Sequence, residues 1–163
     1  MGWIAFNEMR LNEGESSLRD AAQVFQKADM RDLLISCNAL LARVLLAQGE
    51  TAEADRLASD AAQMAKKRPS RPPQFDAALG LAAVQTSEGK FADAAKAAQE
   101  VLNLASRYGY AGYQMESRLT LAQVLARSGK VSQARVQAAS LQKDARAKGY
   151  GRIEREAGKL AGL

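Results

Sequence analysis

Apolar residues recur along most of the chain at intervals of three and four, which is the spacing of one face of an α-helix. The pattern is clearest at 33–45 and at 91–105. The alternation of apolar and polar residues that is typical of β-strands is absent. Glycine, a poor helix former, interrupts the pattern where one helix must end and the next begin. The pattern therefore predicts an all-α protein built from successive short helices.

The positions of these interruptions predict helices that are grouped in pairs. Gly49, Gly89 and Gly129 are 40 residues apart, and each is expected to end the first helix of a pair. A final helix is left without a partner. The predicted helices lie near 3–12, 15–28, 30–48, 51–67, 73–88, 91–107, 110–128, 131–148 and 151–161.

A repeat of 40 residues relates the helix pairs to one another. It aligns Leu41 with Leu81 and Leu121, and it aligns alanine with alanine at several further positions. An alanine face buries little apolar surface alone, so each pair is expected to pack against its neighbours in a stack. The predicted units, within one domain at 1–163, are about 1–29, 30–70, 71–109 and 110–149, with a capping helix at 150–163.

The first unit and the loop at 66–74 depart from the regular pattern. In the first unit, the turn before the second helix is predicted to be two residues longer than the corresponding turn of the other units. The loop contains all three prolines and is expected to be a stiff connection inside one domain. The expected core residues of the first unit are Trp3, Phe6, Leu18, Ala21, Phe25 and Ala28.

Charge is distributed unevenly along the chain. Residues 1–65 carry 6 Lys/Arg and 10 Asp/Glu, whereas residues 66–163 carry 17 and 8. A basic half can attract nucleic acid or an acidic partner, or it can be a solvated surface with cations near helix C-termini. We adopt the second interpretation, so nucleic acid is not the expected partner but remains an alternative.

The chain contains few of the residues that usually carry catalysis. It has no histidine, and its one cysteine, Cys37, lies among leucines and is expected to be a buried thiol. Gly89-Lys90 and Gly129-Lys130 lack the other residues of a phosphate-binding loop. Tyr110 and Tyr113 are expected to pack between units rather than against a base. No run of about 18 apolar residues predicts a membrane span. We expect a non-enzymatic protein without a cofactor or metal.

Three segments resemble the tetratricopeptide repeat. They are LARVLLAQGETAEADRLASDA (41–61), LAAVQTSEGKFADAAKAAQEV (81–101) and LAQVLARSGKVSQARVQAASL (121–141). The unit of 40 residues is longer than the family's usual repeat of about 34. It is similar to the repeats of bacterial transcription activators of the maltose-regulator type, and the C-terminal segment resembles repeats attached to bacterial kinase or winged-helix regulators. The resemblance implies an α-α superhelix of about four hairpins.

The resemblance also implies a concave groove lined by the first helix of each unit. A partner peptide or helix would bind there. The positions of this sequence that match the groove are Ser36, Ala39 and Arg43 in the second unit, Asp76, Leu79, Ala83 and Thr86 in the third, and Glu116, Leu119, Gln123 and Arg127 in the fourth.

The expected function is that of a protein-binding scaffold in the bacterial cytoplasm, as a module of a larger regulatory protein. Self-association through the last helix, with Ile153, Leu160 and Leu163, is a further expectation. The alternatives are a regulatory domain that binds nucleic acid through the basic C-terminal half, and one that senses a small molecule in a pocket between repeats.

Overall fold

The structure, a computed structural model, describes residues 11–163 as α-helices joined by short turns. No β-strand occurs among these residues, so the predicted all-α fold is confirmed. The predicted helix near 3–12, with Trp3 and Phe6, lies mostly outside the described residues. The helices are α1 (Leu11–Lys27), α2 (Arg31–Gln48), α3 (Thr51–Ala65), α4 (Arg71–Ser87), α5 (Phe91–Tyr108), α6 (Ala111–Arg127), α7 (Val131–Ala147) and α8 (Gly151–Ala161). Their bounds are close to the predicted ones except at α1, which begins before the predicted residue 15 and continues through the predicted turn at 13–14.

The chain forms two compact units, an N-terminal unit that ends at Val84 and a C-terminal unit that begins at Gln85. The division lies inside α4 and not at the proline-rich loop. In the N-terminal unit α1 packs on α2, α2 packs on α3, and residues of α2, α3 and α4 share one apolar cluster. In the C-terminal unit α5 packs on α6, α6 packs on α7, and α8 packs on both α6 and α7.

The turn after α2 shows how one helix ends and the next begins. Gly49 has a φ of 88°, in the left-handed region that glycine adopts without steric cost. Glu50 donates its backbone N–H to the carbonyl of Leu45 at 2.9 Å, and its own carbonyl accepts the N–H of Ala54 at 3.1 Å. This Schellman arrangement satisfies carbonyls that a helix end leaves open. One residue therefore completes α2 and starts α3.

The left-handed residue recurs every 20 residues with one exception. At position 69 the series has proline, whose ring holds φ at about −65° and excludes the left-handed conformation. The chain instead makes a longer connection, in which the side-chain amide of Gln74 donates to the carbonyl of Arg68 at 2.6 Å. Among residues 11–163, those with positive φ are Asp29, Gly49, Gly89, Gly109, Gly129 and Gly149.

The second helices of the repeat bury a face of small residues. All the alanines that the repeat aligned on α3 are buried, and so are the residues 40 and 80 positions later on α5 and α7. Small side chains allow helix axes to approach closely. The predicted alanine columns are therefore confirmed as core positions. On α3 they are Ala54, Ala58, Ala61 and Ala65.

The predicted register of the first unit is wrong. The buried residues of α1 are Gly14 and Leu18, which lie 40 residues before Ala54 and Ala58. The repeat therefore continues into α1 without extra residues, and Ala28 is exposed. The positions of the repeat that hold alanine in α3 hold glycine and leucine in α1. This difference explains why the sequence predicts a shifted alignment for the first unit.

Helices α2 and α4 approach each other closely at Gly80. A Cβ atom on Gly80 would lie 3.0 Å from the Cβ of Ala39 and 3.1 Å from its carbonyl oxygen. These distances are shorter than ordinary van der Waals contacts, so a larger residue requires the backbone to shift. Gly112 on α6 is a useful comparison, since a Cβ there would meet only the Cε1 of Tyr150, at 3.9 Å.

We expect Gly80→Ala to lower the free energy of unfolding by about 1–2 kcal/mol, because the overpacking outweighs the gain in helix propensity. Gly112→Ala gains propensity without a clash and should be neutral or stabilising. Urea denaturation followed by far-UV circular dichroism measures both effects. Equal effects of the two substitutions would contradict the close approach of α2 and α4.

Candidate functional site

The residues predicted to line a groove lie on the first helices, in the gaps between buried positions. Helices α2, α4 and α6 are each buried at six or seven positions. Between these positions, several polar residues remain half-buried. Ser36, Arg43, Asp76, Thr86, Glu116 and Gln123 are half-buried, as is Ala83, and Arg127 is exposed. We call the seven polar residues the first-helix row.

Three other residues that the resemblance assigned to the groove are core residues. Ala39, Leu79 and Leu119 are only 2%, 5% and 1% exposed. Their side chains pack inside the units, so they stabilise the fold and do not line an open surface. Their assignment to the groove is wrong.

The structure brings together two members of the first-helix row in the N-terminal unit. The hydroxyl of Ser36 on α2 donates to Oδ2 of Asp76 on α4 at 2.5 Å. The two residues are 40 positions apart and so hold the same place in successive first helices. Hydrogen bonds to carboxylates are among the stronger ones in proteins. This bond therefore contributes to the packing of α2 on α4.

In the C-terminal unit, Glu116 on α6 forms an ion pair with Arg152 on α8. The two side chains are 17% and 10% exposed. Charges so far removed from water need a partner to offset the cost of desolvation. Glu116 therefore links α6 to α8, while Gln123 and Arg127 lie further along α6.

A second surface, which the sequence did not indicate, lies over α2 between α1 and α3. It is an open groove with a volume of about 530 Å³. Its apolar lining comes mainly from α2 and α3, and charged side chains of α1 and α3 complete it. The lining includes Leu34, Leu41, Leu57 and Met64 together with Arg19, Glu53, Arg56 and Asp60.

The C-terminal unit has an equivalent groove over α6, between α5 and α7, with a volume of about 320 Å³. Each residue that lines it lies 80 positions after a residue that lines the first groove. Two steps of the repeat thus reproduce the same surface with different side chains. In the sequence, the grooves correspond to the repeated position that holds Leu41 and Leu121. The repeat alone predicts only that these leucines pack in the core. The lining residues are Gln99, Leu102, Arg118, Leu121, Val136, Gln137 and Ser140.

Arg19 joins the two walls of the first groove. Its Nη1 and Nη2 donate to both carboxylate oxygens of Glu53 at 2.9 and 2.8 Å, and its Nε donates to Glu15 at 2.8 Å. The hydrogen bonds from Arg19 hold the pKa values of Glu53 and Glu15 below their usual range, and those to Glu53 and Glu15 raise the pKa of Arg19. The two-pronged contact between α1 and α3 is the stronger kind of ion pair.

We expect Arg19→Gln to lower the free energy of unfolding by about 1 kcal/mol near neutral pH, because partly exposed ion pairs contribute little more. The folded pKa of Glu53 is lowered, so the stabilisation is present above its unfolded pKa of about 4.3 and is lost as the pH falls through the folded value. Urea denaturation of both proteins at several pH values measures this difference, which should shrink towards zero in acid.

The matched control for this experiment is Arg56→Gln. Arg56 also lies beside Glu53, but its contacts with Glu53 and Asp60 are 3.8 and 3.5 Å long. Long contacts between exposed charges contribute little, so the control should unfold like the parent protein. A loss of stability in the control that matches Arg19→Gln in size and pH dependence would contradict the role of Arg19.

The described residues include few groups suited to catalysis or metal binding. Between residues 11 and 163, no three His, Cys, Asp or Glu side chains are grouped so that they could hold a metal ion. Cys37 on α2 is buried, and its thiol donates to the carbonyl of Leu18 at 3.2 Å. Burial raises the pKa of the Cys37 thiol to about 11. At neutral pH Cys37 is therefore protonated and a poor nucleophile.

We expect Cys37 to react with DTNB at about pH 8 at least 100-fold more slowly in the folded protein than in concentrated urea, because the raised pKa lowers the thiolate fraction by about that factor. The raised folded pKa also favours the folded state below the unfolded pKa, of about 9, and this contribution is lost as the pH rises towards 11. Labelling in native buffer at the rate seen in urea would show that Cys37 is accessible.

Tyrosines are concentrated around the start of α6. The rings of Tyr110 and Tyr113 are half-buried and meet edge to face, with their centroids 6.2 Å apart. Tyr108 is 46% exposed, and the guanidinium of Arg107 lies 5.6 Å from the centre of its ring. Tyr110 and Tyr113 therefore pack in the C-terminal unit, whereas Tyr108 remains at the surface.

Comparison of the chain with protein-family models and with curated proteins gave no match. The likeness to the tetratricopeptide repeat therefore rests on the three segments quoted above and stays a prediction. In the part of the chain that the structure describes, no helix has the length and apolar character needed to cross a membrane.

Proposed function

We propose that the chain is a non-enzymatic scaffold of the tetratricopeptide type, which binds a peptide or helix of a partner protein along its first helices. The observation that carries this proposal is that half-buried polar residues recur at equivalent positions of α2, α4 and α6, namely Ser36, Asp76 and Glu116. These residues project from helices that closely packed small residues hold in place. A surface that is ordered before binding loses less entropy when a partner docks.

We also propose that the chain is a module of a larger bacterial regulatory protein in the cytoplasm. The single cysteine, which is free and buried, fits a reducing compartment. Self-association at the terminal helices is a further mode of binding. In α8, Ile153 belongs to the core of the C-terminal unit, so such contacts would depend on half-buried Leu160 and on Leu163, which is exposed.

Partner capture from a bacterial lysate with charge-reversal variants tests the proposal. Arg43→Glu and Arg127→Glu should each reduce the recovery of the specific partner about tenfold, since reversing a charge in an interface costs at least about 1.4 kcal/mol. The matched control is Arg135→Glu, because Arg135 is also exposed but lies on the second helix α7. Quantitative mass spectrometry of the captured proteins measures the recovery.

A photo-crosslinking residue at Gln123 should join the chain to the captured partner, and the same residue at Arg135 should not. If both first-helix variants recover the same partners as the parent protein at equal yield, the assignment of the first-helix row is wrong. Retention on heparin that falls steeply with salt, together with a loss of all protein capture, would favour the nucleic-acid alternative instead.

A further inference from the structure

One end of the N-terminal unit combines exposed cations with exposed apolar side chains. It is formed by the turn between α1 and α2 and by the loop between α3 and α4. The Nε of Arg68 in the loop donates to Oδ1 of Asp32 at the start of α2, at 2.5 Å, and so joins the two segments. We call this surface the basic–apolar edge and define it by Lys27, Met30, Arg31, Leu33, Lys66 and Lys67.

The cations at this end outnumber the carboxylates, and both carboxylates are already paired. Residues 27–33 and 66–71 contain six Lys/Arg and two Asp. Asp29 and Asp32 each accept a hydrogen bond from an arginine of the same two segments. Three exposed lysines form no ion pair with any residue at 11–163, and they are Lys27, Lys66 and Lys67. Lys66 donates one hydrogen bond, to the neutral side-chain amide of Gln63 at 3.1 Å.

The positive charge belongs to this end and not to the whole unit. Residues 1–84 carry 10 Lys/Arg and 11 Asp/Glu, a net charge of −1, whereas the two segments of the edge have a net charge of +4. At the other end of the unit, Gln48 donates hydrogen bonds to Asn12 and Glu15, and Glu13 and Glu53 lie in the first turns of α1 and α3. Such a separation of charge orients an acidic partner towards the basic end.

Apolar side chains are exposed in the same place. Met30 and Leu33 are each 49% exposed, and Val24, which lies one turn before Lys27 on α1, is 59% exposed. Three of the six large hydrophobic side chains that are exposed among residues 11–163 thus fall within 24–33. Scattered apolar residues are ordinary on a surface, but a cluster beside unpaired cations is typical of an interface.

We propose that the basic–apolar edge binds an acidic segment of a partner protein in which leucine, methionine or phenylalanine is interspersed among the carboxylates. The carboxylates pair with Lys27, Lys66 and Lys67, and the apolar side chains cover Met30 and Leu33. The basic–apolar edge shares no residue with the first-helix row, so the proposal does not depend on a partner in that row.

Two other classes of partner fit this edge less well. A membrane requires apolar side chains that enter the acyl region, whereas Met30 and Leu33 are half covered by their neighbours. Single-stranded nucleic acid requires aromatic rings for base stacking, and none belongs to the edge. An acidic segment uses both the charge and the apolar surface.

Fluorescence anisotropy on the full chain tests the proposal with a peptide of defined chemistry. The probe is a fluorescein-labelled peptide of about twelve residues built from Glu and Leu, and the comparison peptide has Gln in place of each Glu. At low salt we expect the Glu/Leu peptide to bind at least about tenfold more tightly than the Gln/Leu peptide, with a difference that falls as the ionic strength rises.

Variants of the chain then locate the binding surface. Lys27→Glu combined with Lys67→Glu should weaken the binding of the Glu/Leu peptide about tenfold or more, and Met30→Ser combined with Leu33→Ser should weaken it about threefold or more. The matched control is Lys96→Glu combined with Lys143→Glu, two exposed lysines of α5 and α7. The control should keep the parental affinity, and circular dichroism shows whether each variant is folded.

Three outcomes would overturn the proposal: no binding of the Glu/Leu peptide at low salt, equal weakening by the control variant, or binding only to vesicles that contain anionic lipid. A fourth outcome separates it from the proposed function. If Arg43→Glu abolishes peptide binding while both edge variants bind normally, the acidic segment belongs in the first-helix row. That result would support the proposed function and overturn the basic–apolar edge.

Discussion

A left-handed residue at every described turn except the one at Pro69 sets the dimensions of this fold. The Schellman hydrogen bond from Glu50 to Leu45 spans the turn, so only two residues separate α2 from α3. Six of the eight described helices consequently have 17 or 18 residues. A Cβ on Gly49 would meet no atom within 4 Å, so glycine is required there by its φ and not by lack of space. Asp29, with a φ of 53°, shows that aspartate is accepted at the same point of the turn.

A constant step along the chain places equivalent residues of successive helices beside one another. Ser36 therefore meets Asp76, its counterpart one repeat later, and Gly80 lies against the backbone of Ala39. Buried small residues keep the helices close enough for these contacts to form. Polar side chains on the first helices thus join one repeat to the next, and in the proposed function the same side chains meet the partner. A ligand of the first-helix row must either replace the hydrogen bond of Ser36 and the ion pair of Glu116 or form further contacts beside them.

The helices and their repeat were predictable because they depend on local residue type. Glycine marks the ends of the helices, and alanine marks their buried faces, in each of the regular repeats. Features that depend on distances between helices were not predictable. Leu79 was placed in the groove by resemblance, yet its burial depends on how closely the helices around it pack. The pair of Arg19 and Glu53 joins residues 34 positions apart. The two grooves were missed because each is lined by three helices, so its apolar and charged residues come together only when the helices pack.

Exposed cations on α8 disfavour the stacking of a second copy of the chain on this helix. Met115 and Leu119 on α6 pack in one cluster with Ile153 and Ala157 of α8. Forty residues after Met115 and Leu119, α8 carries Arg155 and Lys159, and both are exposed. A second copy that stacked on α8 as α8 stacks on α6 would bury these two cations, at a cost that only paired carboxylates could offset. Self-association in the register of the repeat is therefore disfavoured at this face, and contacts at α8 must use the end of the helix near Leu163.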